Sequence, residues 1–311
     1  LASVSPDVTG NAAHFDASTP GAWRILTSGA AISGFDPTLF KVNTLPTAGS
    51  GGFTNPLLGG TFSLALSGDS LGIDLVFTPA APYTWYGNGT TPGGSGTWTA
   101  AGLPWNDGSG MAAWDPTRNA RFATAGGTVT ISGCQTAGNG LNFVVGGYTI
   151  TGDGLALTAA NQATNAVNVA AGATATFANA VTADNGFSKT GPGRMLVVGD
   201  VAATGGVTVA GGTLAIGGGG TAGTLAGNAA VSAGSTLVFD RADAATYAGA
   251  LSGDGAVLKQ GAGLLTLTGS GCPAGGIVLA AGTVGLGSAD ALGSTGTISF
   301  TGGVLDRKST R

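Results

Sequence analysis

The stretch Lys189-Thr-Gly-Pro-Gly-Arg-Met-Leu-Val-Val-Gly199, followed by Gly205-Gly-Val-Thr-Val-Ala-Gly-Gly-Thr-Leu-Ala-Ile-Gly217, recurs 70 residues later without a gap. The second copy reads Lys259-Gln-Gly-Ala-Gly-Leu-Leu-Thr-Leu-Thr-Gly269 and Gly275-Gly-Ile-Val-Leu-Ala-Ala-Gly-Thr-Val-Gly-Leu-Gly287. Glycines at fixed offsets around short β-branched runs specify where a chain turns and where it pairs. Each copy is therefore predicted to be a supersecondary unit that stacks on a neighbour to bury its apolar side.

Alternation of apolar and small polar residues within the copies predicts which side chains face the core. Strands of an antiparallel sandwich also alternate, but a sandwich does not require regular repetition, so the repeat favours a stack of coils. We predict an all-β chain whose main part is a parallel β-helix, with the intervening Thr and Ala residues pointing outward. The residues predicted to point inward are Val207, Val209, Leu214, Ile216, Leu265 and Leu267.

The composition supports an all-β protein and excludes several classes of function. Of 311 residues, 60 are glycine and only 8% are charged, and all 15 acidic residues are aspartate, so a strong helix former is missing. No apolar run approaches the ~20 residues of a membrane-spanning helix, and we expect no membrane insertion. The net charge is −4 and the basic residues are scattered, which argues against nucleic-acid binding.

Residues 1–80 are predicted to be the end of a preceding antiparallel β module. Thr61–Ser67 and Leu71–Thr78 read as a hairpin around the turn Gly68-Asp-Ser70, and Ala22–Thr27 is a further strand. Asp36 is placed to cap one helical turn that starts with Pro37. Pro79-Ala-Ala-Pro82 is predicted to be a linker.

The remaining chain divides into three predicted segments. Residues 81–127 carry most of the tryptophans beside glycine turns and are predicted to cap the first coil. Residues 128–305 are predicted to form the β-helix, with the repeat copies at 187–217 and 257–287. Residues 306–311 break the pattern, and we interpret them as a tail foreign to a natural sequence that continues beyond Leu305. Cys134 and Cys272 are expected several coils apart, unpaired and buried.

The repeat residues resemble the autotransporter-associated β-strand repeat family, a passenger-type repeat. The matching positions are Lys189-Thr-Gly-Pro-Gly193 with Gly211-Gly-Thr-Leu214, and Lys259-Gln-Gly-Ala-Gly263 with Ala281-Gly-Thr-Val284. Asp200–Thr204 and Ser270–Ala274 depart from the Asn-x-Tyr-x pattern that the family often has at these positions. These two segments therefore do not supply the residues of an asparagine or aromatic ladder between coils.

The resemblance implies a right-handed parallel β-helix, exported from a bacterium and either displayed at the cell surface or released. Members of this family are mostly structural stalks. We therefore expect a non-catalytic, monomeric fragment without cofactor or metal. Its expected role is to hold other parts of a large surface protein away from the cell. We also expect that it could adhere to surface glycans or to other cells. The membrane barrel of true autotransporters does not occur in this sequence, so autotransport does not follow.

The inventory of catalytic groups is poor, although two alternatives to a stalk stay open. His14 is the only histidine, and no nucleophile-elbow serine accompanies it. Asp240 and Asp243 could serve a polysaccharide lyase or hydrolase, or they could be turn residues that bond their own backbone. Gly152-Asp-Gly154 and Gly253-Asp-Gly255 resemble single fragments of a calcium repeat and are predicted to be turns.

A glycan-binding adhesin is the second alternative, because exposed indole rings stack on sugar faces. The opposite interpretation is that tryptophans beside glycine turns form a buried cap. The glycan-stacking candidates are Trp85, Trp98, Trp105 and Trp114.

Overall fold

A computed structural model shows an all-β chain that divides into two compact units between Ala81 and Pro82. The structure describes residues 20–42, 57, 60–159, 165–294 and 296–306. His14 and the segment 307–311 lie outside the described residues.

The first unit contains a three-stranded antiparallel sheet in the order β1-β3-β2. Its strands are β1 (Gly21–Thr27), β2 (Thr61–Leu66) and β3 (Gly72–Thr78), so the predicted hairpin and the additional strand are confirmed. A 3₁₀ turn at Pro37–Leu39 begins after Asp36, whose carboxylate accepts a hydrogen bond from the Thr38 backbone N–H at 2.9 Å. That is the predicted cap.

The second unit is a parallel β-solenoid of about nine coils, built from short strands. They are β4 (Tyr83–Trp85), β5 (Gly96–Trp98), β6 (Trp105–Asn106), β7 (Met111–Ala112), β8 (Ala120–Phe122), β9 (Thr128–Ile131), β10 (Gln135–Ala137), β11 (Leu141–Phe143), β12 (Tyr148–Gly152), β13 (Leu155–Leu157), β14 (Asn165–Val169), β15 (Thr174–Phe177), β16 (Val181–Thr182), β17 (Phe187–Thr190), β18 (Arg194–Val197), β19 (Asp200–Ala202), β20 (Val207–Val209), β21 (Thr213–Ile216), β22 (Thr224–Ala226), β23 (Ala229–Val231), β24 (Thr236–Phe239), β25 (Ala245–Tyr247), β26 (Leu251–Ser252), β27 (Ala256–Lys259), β28 (Leu264–Leu267), β29 (Ile277–Leu279), β30 (Thr283–Leu286), β31 (Ile298–Phe300) and β32 (Val304–Asp306).

The coils from β8 to β28 each contribute one strand to each of three sides, whereas the last two coils, β29–β30 and β31–β32, contribute strands to the second and third sides only. The first side is the ten-stranded sheet from β26 to β7, and the second is the ten-stranded sheet from β31 to β5. The third side consists of two sheets, β10-β13-β16-β19-β22 and β25-β28-β30-β32. From β8 onward the ladders between coils are parallel, which confirms the coil stack and excludes the sandwich for this part of the chain.

The coils have unequal lengths because their corners differ. Partners in neighbouring coils are 19 residues apart for Arg194 and Thr213 but 27 apart for Tyr148 and Ala175. The parallel ladders begin at Tyr83, where β4 pairs with β8, so the solenoid starts well before the predicted boundary at residue 128. Its last described strand ends at Asp306.

The alternation predicted for the repeats holds for the inward side chains. Val207, Val209, Leu214, Ile216, Leu265 and Leu267 all belong to the buried core. Thr208 is exposed as predicted, and Ala215 lies outside the core cluster that contains its neighbours Leu214 and Ile216, although it is fully buried. Ala215 lies between Leu196 and Val238 in the ladder, and these larger side chains cover its methyl group.

The two cysteines are unpaired, as expected, but they are not buried. Cys134 is exposed and Cys272 is half-buried. Cys134 follows Gly133 in the turn between β9 and β10, and Cys272 lies in a segment between β28 and β29 that forms no strand. Cys134 thus lies at the surface, whereas Cys272 packs against the edge of the hydrophobic core while staying partly accessible.

Candidate functional site

The four candidate tryptophans form one packed cluster at the start of the solenoid. Trp85, Trp98 and Trp105 are fully buried, and Trp114 is 8% exposed. Edge-to-face and tilted contacts connect neighbouring rings, with centroids 5.0 Å apart for Trp98 and Trp105 and 4.6 Å apart for Trp105 and Trp114. The Nε1 atoms of Trp85 and Trp114 donate to the carbonyls of Gly94 and Thr136 at 2.8 and 2.7 Å.

This burial corrects the proposal that these tryptophans stack on glycans. A sugar can stack only on an exposed ring face, and these faces are covered by one another and by Phe122. Phe122 in turn stacks on Phe143 in the next coil at 4.6 Å. The alternative interpretation, a buried cap over the first coil, is the one that the geometry supports.

The repeat lysines are buried, which the sequence analysis did not anticipate. Lys189 is fully buried, and its ammonium group donates to the carbonyls of Thr190, Gly191 and Gly211 at 2.9 Å each. Gly211 belongs to the next coil, so the side chain connects two coils at a corner. Burial lowers the pKa of Lys189 to about 8.

Lys259 repeats this arrangement at the equivalent position of the second copy. It is 2% exposed and donates to the carbonyl of Gly261 in its own coil and, at 3.2 Å, to that of Ala281 in the next coil. Burial also lowers the pKa of Lys259, with Asp240 opposing the shift. Because backbone carbonyls surround each ammonium, we assign a structural role to both lysines.

The carboxylates that could have served catalysis are engaged in structural contacts. Asp243 accepts two hydrogen bonds from Arg241, from Nε at 2.9 Å and from Nη2 at 2.8 Å, and this hydrogen bonding lowers the pKa of its carboxyl group. Asp240 accepts from the Gln260 side-chain amide at 2.9 Å. Asp153, in one of the two Gly-Asp-Gly turns, accepts from the backbone N–H of Gly133 in the neighbouring coil at 2.7 Å. Within the described ranges, no group of three or more His, Cys, Asp or Glu residues converges.

The third side of the solenoid is interrupted where two long corners follow each other. Only Val198 and Gly199 separate β18 from β19, but residues 217–223 separate β21 from β22. In the next coil, residues 240–244 separate β24 from β25. Backbone hydrogen bonds join these two corners, from Gly219 N–H to Asp240 O at 2.9 Å and from Ala242 N–H to Gly220 O at 2.7 Å. As a result β22 ends one sheet and β25 begins another.

A cleft of about 250 Å³ opens at this interruption, and we call it the third-side cleft. Leu225, Phe239, Tyr247 and Leu265 form its apolar floor, together with Ile216, and all of them belong to the buried core. Arg241 lines its rim, with a side chain that is 15% exposed. The lining of the cleft therefore combines an apolar floor with the Arg241 guanidinium group and two threonines, Thr224 and Thr246. Its full lining is Ile216, Gly223, Thr224, Leu225, Phe239, Arg241, Ala244, Ala245, Thr246, Tyr247 and Leu265.

The side chains around the third-side cleft are held in place by hydrogen bonds. Arg241 Nη1 donates to the Gly223 carbonyl at 2.9 Å, which ties the corner of one coil to the next. The Tyr247 hydroxyl donates to Gly227 O at 2.8 Å, and its ring lies 5.3 Å from that of Phe239. Burial raises the pKa of Tyr247. Thr224 donates to Asp200 at 2.7 Å.

Sequence reasoning missed both the lysine contacts and the cleft. The signal for the lysines was their identical offset in the two repeat copies, each just before a glycine turn. The signal for the cleft was the run of four glycines from Gly217 to Gly220, which lies in the long corner before β22. Neither signal by itself places the neighbouring coil.

No protein-family model, no curated protein and no solved structure matches this chain. Among the residues that the structure describes, none belongs to a helix with the length and apolar character needed to cross a membrane.

Proposed function

We propose that this chain is a non-catalytic structural segment of a large exported bacterial surface protein, acting as a stiff stalk or passenger. The observation that carries the proposal is the continuity of the second side, where ten strands from β5 to β31 pair in one uninterrupted sheet. With strands spaced ~4.8 Å apart, such a sheet extends ~43 Å along the stacking direction. A stack in which every coil bonds to both neighbours resists bending.

The interior of the solenoid supports the same proposal. A single apolar cluster runs from the tryptophan cap to Leu279 and Val284, so each coil packs on the next through side chains as well as through backbone ladders. At a corner of each repeat copy, a lysine adds a polar connection between coils. These features favour stiffness, whereas the best-placed carboxylates are engaged in hydrogen bonds and ion pairs.

Export and surface display are proposed from the family resemblance and from the low charge content. Antibodies raised against this chain should label intact cells of the source bacterium as strongly as permeabilised cells. Labelling only after permeabilisation would contradict the surface location. For the stalk itself, atomic force spectroscopy on the 311-residue chain should give stepwise unfolding at forces well above those of a loosely packed domain.

The rival function, polysaccharide cleavage, is tested separately. Incubation of the chain with plant and bacterial polysaccharides should release no new reducing ends and no unsaturated products. Release that is lost in Asp240→Asn or Asp243→Asn variants would overturn the non-catalytic proposal and identify these aspartates as catalytic.

A further inference from the structure

We propose that Asn185 is a site of spontaneous deamidation, at which the side-chain amide is converted to aspartate and isoaspartate. This inference goes beyond the stalk function and does not depend on it, because it rests on the corner between β16 and β17. Asparagine is thermally labile, most of all before glycine, whose lack of a side chain leaves its backbone nitrogen open to attack. The sequence has three Asn-Gly pairs, which begin at Asn88, Asn139 and Asn185.

The reaction at Asn185 consumes water and needs no enzyme or cofactor. The backbone nitrogen of Gly186 attacks Cγ of Asn185, so a bond between these two atoms forms and the bond from Cγ to Nδ2 breaks. The side-chain nitrogen leaves as ammonia and takes up the proton that the Gly186 nitrogen loses, which leaves a cyclic imide. Water then adds to either carbonyl of the imide and breaks its bond to the nitrogen, which gives aspartate or isoaspartate.

The pairs that begin at Asn88 and Asn185 have the same backbone setting. Both asparagines are exposed and occupy the third position of a four-residue turn. In each turn the glycine N–H donates to the carbonyl three residues earlier, at 2.8 Å to Tyr86 and at 2.9 Å to Ala183. The attacking nitrogen is therefore restrained to a similar degree in both turns, and the asparagine side chains decide which pair reacts faster.

The side-chain amide of Asn88 is held in place, whereas that of Asn185 is free to rotate. Asn88 Oδ1 accepts from the backbone N–H groups of Thr90 and Thr91 at 3.0 and 2.9 Å, and its Nδ2 donates to the Thr91 hydroxyl at 2.9 Å. None of the residues that the structure describes bonds to the amide of Asn185. Its Cγ can therefore approach the Gly186 nitrogen without breaking a side-chain hydrogen bond.

Asn139 is protected by burial and by its contacts. It is fully buried, and its Nδ2 donates to Thr117 O at 3.0 Å. Its backbone carbonyl accepts from the side-chain amide of Asn119, also at 3.0 Å. Rotation of the Asn139 amide would leave buried polar groups without partners, and burial keeps out the water that the second step consumes. The three pairs should therefore react in the order Asn185, Asn88, Asn139.

Conversion of Asn185 to isoaspartate should weaken the contact with the next coil. Isoaspartate lengthens the main chain by one atom, because the former Cβ becomes part of it. Gly205 of the next coil approaches so closely that a Cβ added to it would overlap the Asn185 carbonyl carbon and the Gly186 nitrogen. Directly after this corner, Phe187 N–H donates to Gly206 O at 3.1 Å. The corner has no room for another main-chain atom, so the modified chain should be less stable.

Peptide mass spectrometry of the 311-residue chain, incubated for weeks at pH 8, tests the order of the three sites. Asn185 should deamidate at least ~10-fold faster than Asn88, whose amide must first break three hydrogen bonds, and Asn139 should react slowest. In urea all three pairs should react at similar rates, because each asparagine is followed by glycine and no fold restrains it. Thr91→Ala removes the hydroxyl acceptor and should speed up the reaction at Asn88.

The variant Asn185→Asp separates the effect of the longer main chain from that of the new charge. The isoaspartate form, isolated by chromatography, should unfold at a lower urea concentration than both the parent chain and Asn185→Asp. The proposal is overturned if Asn185 reacts no faster than Asn88 in the folded chain, or if the same difference persists in urea. It is also overturned if Thr91→Ala leaves the rate at Asn88 unchanged, or if the isoaspartate form is as stable as Asn185→Asp. None of these outcomes bears on the force and surface-labelling tests of the stalk.

Discussion

Lys189 and Lys259 occupy the same position of the 70-residue repeat but lie on different sides of the solenoid. Lys189 pairs with Val209 in the first side, and Lys259 pairs with Leu279 in the second. The chain passes the first side again at β20, β23 and β26 before it reaches Lys259 on the next side. The 70-residue repeat is therefore longer than three full coils by one side of the solenoid. As a result, the second copy is rotated by one side relative to the first.

Replacing Lys189 by methionine should destabilise the solenoid by about 2–4 kcal/mol, because three buried carbonyls lose their donor while the apolar stem is kept. Urea unfolding followed by tryptophan fluorescence measures this, since four of the five tryptophans lie in the solenoid. Arg194→Met, on the adjacent strand β18, is the control and should stay within about 0.5 kcal/mol of the parent chain. Equal losses in the two variants would contradict the role given to Lys189.

The stability of the solenoid should rise between about pH 8 and pH 10. Burial lowers the pKa of Lys189 to about 8, whereas an unfolded lysine keeps a pKa near 10.4, so over this interval the unfolded chain binds more protons than the folded chain. Lys259, whose pKa is lowered by the same cause, acts in the same direction. Urea midpoints measured at half-unit steps of pH test this, and the rise should be smaller in Lys189→Met.

Above about pH 10 the same stability should fall. Unfolded tyrosines ionise near pH 10, but burial raises the pKa of Tyr148 to about 12 and also raises that of Tyr247, so the folded chain keeps protons that the unfolded chain loses. Tyr148→Phe should reduce the fall, because phenylalanine keeps the ring contacts and cannot ionise. A midpoint that continues to rise through pH 11 would contradict this assignment.

Gly227→Ala should destabilise the solenoid by about 2–4 kcal/mol. Gly227 has φ of 111°, and a Cβ there would lie 1.9 Å from the Ala203 carbonyl oxygen in the preceding coil. Gly220→Ala is the matched control in the same turn-rich region, since a Cβ at Gly220 would meet nothing within 4 Å and its φ is not positive. Urea unfolding should show little change for Gly220→Ala, and a comparable loss in both variants would show that strain is not the cause.

The two cysteines should react with a thiol reagent at clearly different rates. Cys134 is exposed, whereas Cys272 is half-buried and burial raises its pKa, which lowers the fraction of reactive thiolate. Ellman's reagent at pH 8 should give a fast phase that disappears in Cys134→Ser and a slow phase that disappears in Cys272→Ser. A single phase of full amplitude in the native chain would contradict the difference in burial.

Much of the architecture followed from the local pattern of residues. The alternation around Val207 and Leu265 placed their side chains in the core, and the turn at Gly68 placed the hairpin of β2 and β3. These features depend on neighbours within a few residues, such as glycines that permit turns and β-branched residues that favour strands. For that reason they can be read from one sequence.

The positions that matter for function were decided by contacts between coils. Whether Lys189 faces solvent or the Gly211 carbonyl depends on how many residues separate them around one coil. The cleft exists because the corner before β22 is longer than its neighbours, so β22 and β25 lose their ladder while Phe239 and Tyr247 become its floor. The number of residues in the corners of a coil decides which residues of two neighbouring coils are hydrogen-bonded to each other. No local motif contains that information. The sequence by itself thus determined that the chain coils, and only the tertiary structure decided which side of each coil meets which residue of the next.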